Sequence, residues 1–309
     1  MKDCVQDRMI AAVIVTYNRK DMLRTCIQKL LNQEGAACDI LVIDNASSDG
    51  TADMIRESFP EPNVRCFNTG ANLGGAGGFS FGMRKAVELG YDYIWAMDDD
   101  TYAEPDALKE LLEADRTLNG NYGFLSGLAL WTDGTVCTMN RQHTSLRGFL
   151  TGTEQGPVPV IMVTFVSFFV KSETVREFGL PIKEFVIWSD DYEYSRRISR
   201  KLPCYAIPES RVVHAMADNK KVGIEHDLPE RLWRYEKLYR NEVYVYRREG
   251  LRGLLFLFLR INLHRARVLL YAENMKREKL RVIGRSFRSG FRFHPEIEYV
   301  DKKRCKEQT

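Results

Sequence analysis

The sequence predicts an α/β fold with a mostly parallel central sheet flanked by helices, followed by a basic helical extension. Three observations carry this expectation. Strand-like apolar runs alternate with helical patterns through the first hundred residues, which is the texture of a parallel sheet. Polar or acidic residues follow each run at its carboxyl end, where such sheets place their ligands. Charge is also unevenly spread: from Pro229 onward there are 21 Lys plus Arg against 10 Asp plus Glu, whereas the preceding residues carry 24 against 32. The expected boundaries are 8–225 for the α/β domain and 226–309 for the basic helical region.

Taken in order, IAAVIVTY (10–17) is a continuous apolar strand, and Met22, Leu23, Ile27, Leu30 and Leu31 then fall at helical spacing. CDILVIDNAS (38–47) is a second strand ending in a turn-rich SSDG, TADMIRESF a short helix, and NVRCFNTG (63–70) a third strand. NLGGAGGFSFGMRKAVELG reads as a glycine-rich loop running into a helix. YDYIWAM (91–97) is a fourth strand rich in aromatic and branched residues, and the segment after 100 reads as a helix. Beyond residue 120, GFLSGLALW, VPVIMVTFVSFFVK and PCYAIPESRVVH read as strands, and EFVIWSDDYEYSRRISRK as a loop and helix. From about 226 the pattern is helical.

Four loops therefore meet at the carboxyl edge: Thr16-Tyr17-Asn18-Arg19, Asp44-Asn45, Asn72 to Gly78, and Asp98-Asp99-Asp100. The acidic triplet is the most demanding of them. Three adjacent carboxylates repel one another unless something positive sits among them. A solvated helix cap is the alternative reading, but a cap needs one Asp, not three.

The obvious nucleotide-binding rivals do not fit. A dinucleotide fold needs G-x-G-x-x-G after its first strand, and that loop here is TYNRKD; no Walker G-x-x-x-x-G-K-[ST] occurs either. Seven cysteines without CxxC or zinc spacing argue for reduced thiols rather than a disulfide framework. The N-terminal apolar stretch reads as a first strand, not a signal peptide. The longest apolar run, LLFLFL (254–259), is stopped by Arg260 and falls short of a membrane span.

VTYNR, VIDNASSDGT, an acidic triplet closing a strand and a later D-D-x-E-Y, in this order, resemble the large family 2 of inverting glycosyltransferases with the GT-A fold. The stretch NLGGAGGF (72–79) narrows the resemblance to the galactofuranosyltransferase branch, with rhamnosyltransferases as close neighbours. The likeness covers roughly residues 8–225. It implies a nucleotide-diphospho-sugar donor and a divalent cation, Mn²⁺ or Mg²⁺, that offsets charge on the leaving diphosphate.

Since successive strand residues face opposite sides, Asp98 and Asp100 are the expected metal ligands. Asp99 is then left for the donor sugar or for a supporting hydrogen bond. The resemblance adds His214 as a further ligand. It also makes Asp191 the catalytic base, Asp190 an acceptor contact, Glu193 a brace on the acceptor side and Trp188 a platform for a sugar ring. Ser189 departs from the pattern, because it separates Trp188 from the acidic pair. For the donor, Asp44 is expected on the uracil edge, Thr16, Tyr17, Asn18 and Arg19 on ribose and phosphate, and Asn72, Gly75, Gly77 and Gly78 near the base or diphosphate.

UDP-galactofuranose is the favoured donor, with dTDP-rhamnose as the alternative. The acceptor is expected to be a glycan, free or polyprenyl-linked, in cell-surface polysaccharide synthesis. A GT-A scaffold without catalysis is the rival class, but it would be expected to lose Asp100, Asp191 or His214, and all three positions are filled. The basic tail suits the anionic inner face of a membrane, so the expected location is cytoplasmic and peripheral. A second copy of the chain is an alternative partner. Nucleic acid is not expected, since the aromatics of the tail sit at packing positions.

Overall fold

The structure, a computed structural model, describes residues 9–219 and 223–301. The first eight residues and the last basic ones, including Cys4 and Cys305, lie outside that range. The chain alternates strand and helix: β1 (Ile10–Thr16), α1 (Lys20–Leu31), β2 (Asp39–Asp44), α2 (Thr51–Ser58), β3 (Val64–Asn68), α3 (Gly74–Glu88) and β4 (Tyr93–Asp98). Next come β5 (Thr101–Ala103), α4 (Ala107–Thr117), β6 (Phe124–Leu130), β7 (Val158–Pro159), β8 (Phe168–Lys171), α5 (Ser172–Phe178), α6 (Asp190–Ser199) and β9 (Tyr205–His214). Three helices follow, α7 (Leu232–Arg247), α8 (Gly250–Tyr271) and α9 (Lys276–Gly290).

The strands form one sheet in the order β3-β2-β1-β4-β8-β6-β9-β5, with β7 also on β9. From β3 to β4 all pairings are parallel, as continuous apolar runs buried on both faces require. Register sets the site. Thr16 lies beside Asp44 and Val15 beside Asp98, so three of the four loops leave the sheet at one edge. The antiparallel β5–β9 pair puts Thr101 opposite His214, which brings that histidine beside the acidic triplet.

Two expected elements differ. The segment after the triplet begins as β5 and becomes helical only at Ala107, because β9 offers a strand partner and Pro105 disfavours helix at the residue before it. The run expected as one strand over 158–171 divides: β7 pairs with β9, while β8 joins β4 and β6. The residues between them, Val160, Met162, Val163 and Phe165, are buried outside these strands, and Met162 makes an isolated antiparallel bridge to His143.

The glycine-rich stretch is mostly helix rather than loop. At Gly78 a Cβ would lie 2.5 Å from Val15 Cγ1, so these glycines let α3 lie close on β1. The C-terminal helices pack back onto this body. Tyr244 and Val245 of α7 share a buried cluster with Ala76, Ile182 and Phe185. Among the described residues no helix is long and apolar enough to cross a membrane, and the described cysteines are free thiols.

Candidate active site

The acidic triplet ends β4 and turns into β5. Asp98, Asp100 and His214 each present a ligand atom, and these atoms lie within 4.8 Å of one another. At that separation two carboxylates repel by about 3.5 kcal/mol with an effective dielectric constant of about 20. The surroundings show how the charge is managed. Asp100 accepts from Arg19 Nη1 at 2.8 Å and sits 2.9 Å from His214 Nε2. Burial would raise its pKa, but these partners hold it below the ordinary carboxylate value.

At Asp98 the charges of His214 and Arg19 pull the same way but are outweighed. Burial first, then the charge of Asp100, push it up to about 7. Asp99 is turned the other way, accepting from Thr16 Oγ1 at 2.8 Å and Arg19 Nη1 at 3.2 Å. Burial still raises it to about 6. Of the two roles expected for Asp99, the supporting hydrogen bond is the one observed. Thr16, expected on the donor, spends its buried hydroxyl on that bond.

His214 is oriented from behind. Its Nδ1 lies 2.8 Å from Asn140 Oδ1, an acceptor, so Nδ1 carries the proton and Nε2 faces Asp100. Burial disfavours the imidazolium, yet the hydrogen bond to Asp100, the contact with the Cys137 thiol and the charges of Asp100 and Asp98 raise its pKa to about 10. A proton between Nε2 and Asp100 is what a divalent cation would replace. Two carboxylates and an imidazole backed by an amide oxygen form a donor set that suits Mn²⁺ or Mg²⁺.

On the donor side, Asp44 is buried at the end of β2 and accepts from Ser47 N at 2.9 Å and Asn68 Nδ2 at 3.2 Å. A carboxylate has about four lone-pair sites, so acceptor capacity remains. Asn18 adopts φ 53° and ties the first loop to the second, accepting from Ser48 N at 2.7 Å. Tyr17 is exposed, and Asn72 accepts from Gly74 N at 2.9 Å. Gly75 has open space where a side chain would be, but the corresponding space is filled by Leu73 at Gly77 and by Val15 at Gly78. The smallness of Gly77 and Gly78 thus serves packing within and beneath α3.

The second acidic cluster opens α6. Burial raises the pKa of Asp190 to about 6 and that of Asp191 well above the ordinary value, and the charges of Asp190 and Asp98 add to the rise at Asp191. The segment entering α6 lies on the N-terminus of α3, where Ala76 N donates to the Val186 carbonyl at 3.2 Å and the Gly74 carbonyl accepts from Asn45 Nδ2 at 3.1 Å. Glu193, expected as a brace, is buried and accepts from Arg197 Nε at 3.1 Å, while Arg197 Nη1 donates to the Phe178 and Leu180 carbonyls. It braces α6 against α5. Trp188 is half-buried, edge-on to Tyr235 at 5.2 Å between ring centres, so part of its surface is already used.

Residues 11–121 match the family model Glycosyl transferase family 2. Galactofuranosyltransferase GlfT1 of Mycolicibacterium smegmatis is 26% identical over 263 residues, covering 80% of this chain and 86% of the relative. The chain is a glycosyltransferase with a family 2 domain over residues 11–121. Its fold is that of S. aureus TarS 1-349 in complex with UDP-GlcNAc, with a TM-score of 0.53 and 13% identity over 92% of this chain and 73% of the other. It is also that of the mannosyltransferase PcManGT from Pyrobaculum calidifontis in complex with GDP-Man and Mn²⁺, with a TM-score of 0.56 and 15% identity over 94% and 77%. These are GT-A glycosyltransferase structures.

In this glycosyltransferase the sequence pattern alone misses two further groups. Asn140, which orients His214, lies in a loop without a motif. Arg234, on the first turn of α7, is lowered in pKa by burial and by the charges of Arg231 and Arg19. Arg234 is thus near enough to Arg19 for the two charges to oppose each other, and only the basic surplus of the tail points to it in the sequence.

Proposed function

We propose that the enzyme moves a sugar, galactofuranose in the favoured reading, from a UDP-sugar to a glycan or polyprenyl-linked acceptor with inversion at the anomeric carbon. The observation that carries the reading is the grouping of the Asp98, Asp100 and His214 ligand atoms within 4.8 Å of one another where β4 and β9 end. Residues 8–225 are assigned to the catalytic domain and 226–309 to the basic region, whose helix α7 packs against that domain through Tyr244 and Val245. Likeness to GlfT1 supports galactofuranose and cell-surface polysaccharide as the setting. A dTDP-rhamnose donor presents the same pyrimidine edge and remains the second reading.

Asp98, Asp100 and His214 would hold Mn²⁺ or Mg²⁺, which supplies positive charge to the leaving diphosphate. Asp44 accepts from the uracil N3–H. Arg19, with Arg234 behind it, adds positive charge at the diphosphate. Asp191 takes the proton of the attacking acceptor hydroxyl, and its raised pKa brings it toward the working pH of a base. Asp190 holds the acceptor sugar, and the free part of Trp188 lines its approach. The donor is identified by incubating the purified protein and Mn²⁺ with a panel of UDP- and dTDP-sugars. Release of UDP from UDP-galactofuranose is expected at the highest rate, and release only from dTDP-rhamnose would move the assignment to the second reading.

The enzyme also works at a membrane surface in this reading. Leu251, Leu255, Phe258, Leu259, Leu263 and Leu270 form one exposed stripe along α8, flanked by the exposed Arg252 and Arg267. Each basic residue beside anionic lipid contributes about 1 kcal/mol, enough in sum for reversible attachment. Vesicle co-sedimentation should rise with anionic lipid, fall with salt, and be lost in a Leu255→Asp, Phe258→Asp variant. Binding that ignores lipid charge, or no binding, would instead leave this face to a second copy of the chain.

A further inference from the structure

We infer that Asn241, on α7, is a positioning residue for Asp190 and Asp191, because its amide fixes the strained segment that aims them. The inference rests on the proposed role of Asp191 as base. The segment entering α6 holds three non-glycine residues in the left-handed region: Val186 at φ 65°, Trp188 at 64° and Ser189 at 67°. A β-branched or aromatic residue rarely adopts such a backbone, and it persists only where the surroundings over-determine it.

The surroundings act from two sides. From α3, Ala76 N donates to the Val186 carbonyl at 3.2 Å. Gly74, at φ 72°, leaves the space for that carbonyl, since a Cβ there would come within 2.3 Å of its oxygen. From α7, the fully buried Asn241 directs Nδ2 at three carbonyls, of Trp188 at 2.9 Å, Phe185 at 3.1 Å and Ile187 at 3.3 Å. Its Oδ1 is held in turn by Arg240 Nε at 3.1 Å and Nη2 at 2.9 Å. Arg240 Nη2 also donates to the Glu184 carbonyl at 2.6 Å.

What the amide fixes is the start of α6. The Ser189 carbonyl accepts the first hydrogen bond of that helix, from Glu193 N at 2.9 Å, so the set of the segment decides where the first turn points. Asp190 and Asp191 lie on that turn. No similar side chain substitutes. An aspartate would put an anion against three carbonyls, a leucine has no donor, and a glutamine reaches one methylene too far.

The test compares full-length Asn241→Ala and Asn241→Ser with Val243→Ala, a buried change on the same helix that faces Gly290 of α9. Transfer kcat, donor Kd by calorimetry with Mn²⁺, and Tm are measured for each. Asn241→Ala should lose about a hundredfold in kcat, the scale expected for a reacting group displaced by about 1 Å, with donor Kd changed less than about twofold. Asn241→Ser, which keeps one donor, should fall between it and wild type. Val243→Ala should lower Tm comparably and leave kcat within about twofold.

Equal kcat losses in Asn241→Ala and Val243→Ala, parallel loss of donor affinity, or failure of both Asn241 variants to fold would make Asn241 a stability element and overturn the inference. Asp191→Asn in the same assay keeps the two claims apart. Wild-type turnover there would remove the base itself, whereas an inactive Asp191→Asn beside a fully active Asn241→Ala would remove the positioning role alone.

Discussion

Asp100→Ala is expected to lower sugar transfer by at least about a thousandfold while leaving the protein folded. Asp100 is where three interactions meet: it faces His214 Nε2 at 2.9 Å, accepts from Arg19 Nη1 at 2.8 Å and completes the group with Asp98. Removing it takes away one of the three side chains proposed to hold the metal and the group that draws His214 toward the site. The fold does not depend on that side chain. Asp100 is held through its backbone, whose carbonyl accepts from Ala215 N at 2.9 Å, and the β5–β9 pairing is main-chain. Arg19 keeps Asp99 as a partner, and Asp98 loses a repelling neighbour. Far-UV circular dichroism and Tm should therefore stay close to wild type. Turnover within about tenfold of wild type would show that Asp100 does not hold the catalytic cation.

The second large effect belongs to Asp191. Asp191→Asn keeps the size and the hydrogen bond from Tyr192 N, made at 2.7 Å in the wild type, but cannot take a proton. Transfer should fall by at least about a hundredfold, the lower end of the range for a general base, and donor Kd should stay near wild type. The pH profile gives an independent reading. Burial raises the Asp191 pKa above the ordinary carboxylate value, so the wild-type rate should climb with pH through a limb lying above the usual carboxylate range. In Asp191→Asn that limb should disappear. If donor affinity fell as far as turnover, Asp191 would be a binding residue rather than the base.

Much of this arrangement is legible in the sequence, because a parallel sheet leaves little choice about where its loops converge. Four polar loop starts after four apolar runs are enough to locate the site, but β4 ends at Asp98, so the turn through Asp99 and Asp100, rather than strand alternation, groups Asp98 with Asp100. A lone histidine after an apolar run carries no such signal by itself; the pairing of β5 with β9 supplies the physical reason His214 belongs. What the sequence hides depends on contacts between distant segments. Asn140 and Asn241 are lone amides in unremarkable surroundings, and their importance lies in the atoms they face, His214 Nδ1 and three carbonyls of the strained segment. Gly77 and Gly78 suggest a ligand when read as a loop and prove to be packing positions once α3 lies on β1. Glu193 stands in an acidic motif, yet Arg197 one turn later claims it.

The account stands on a cation held by Asp98, Asp100 and His214, and one measurement addresses it directly. The initial rate of UDP release from UDP-galactofuranose, in the presence of acceptor, is followed in excess EDTA and again as Mn²⁺ or Mg²⁺ is added back. The account predicts no turnover in EDTA and saturable recovery on addition of either ion, with His214→Ala needing far more metal to recover. Full turnover in excess EDTA would contradict it.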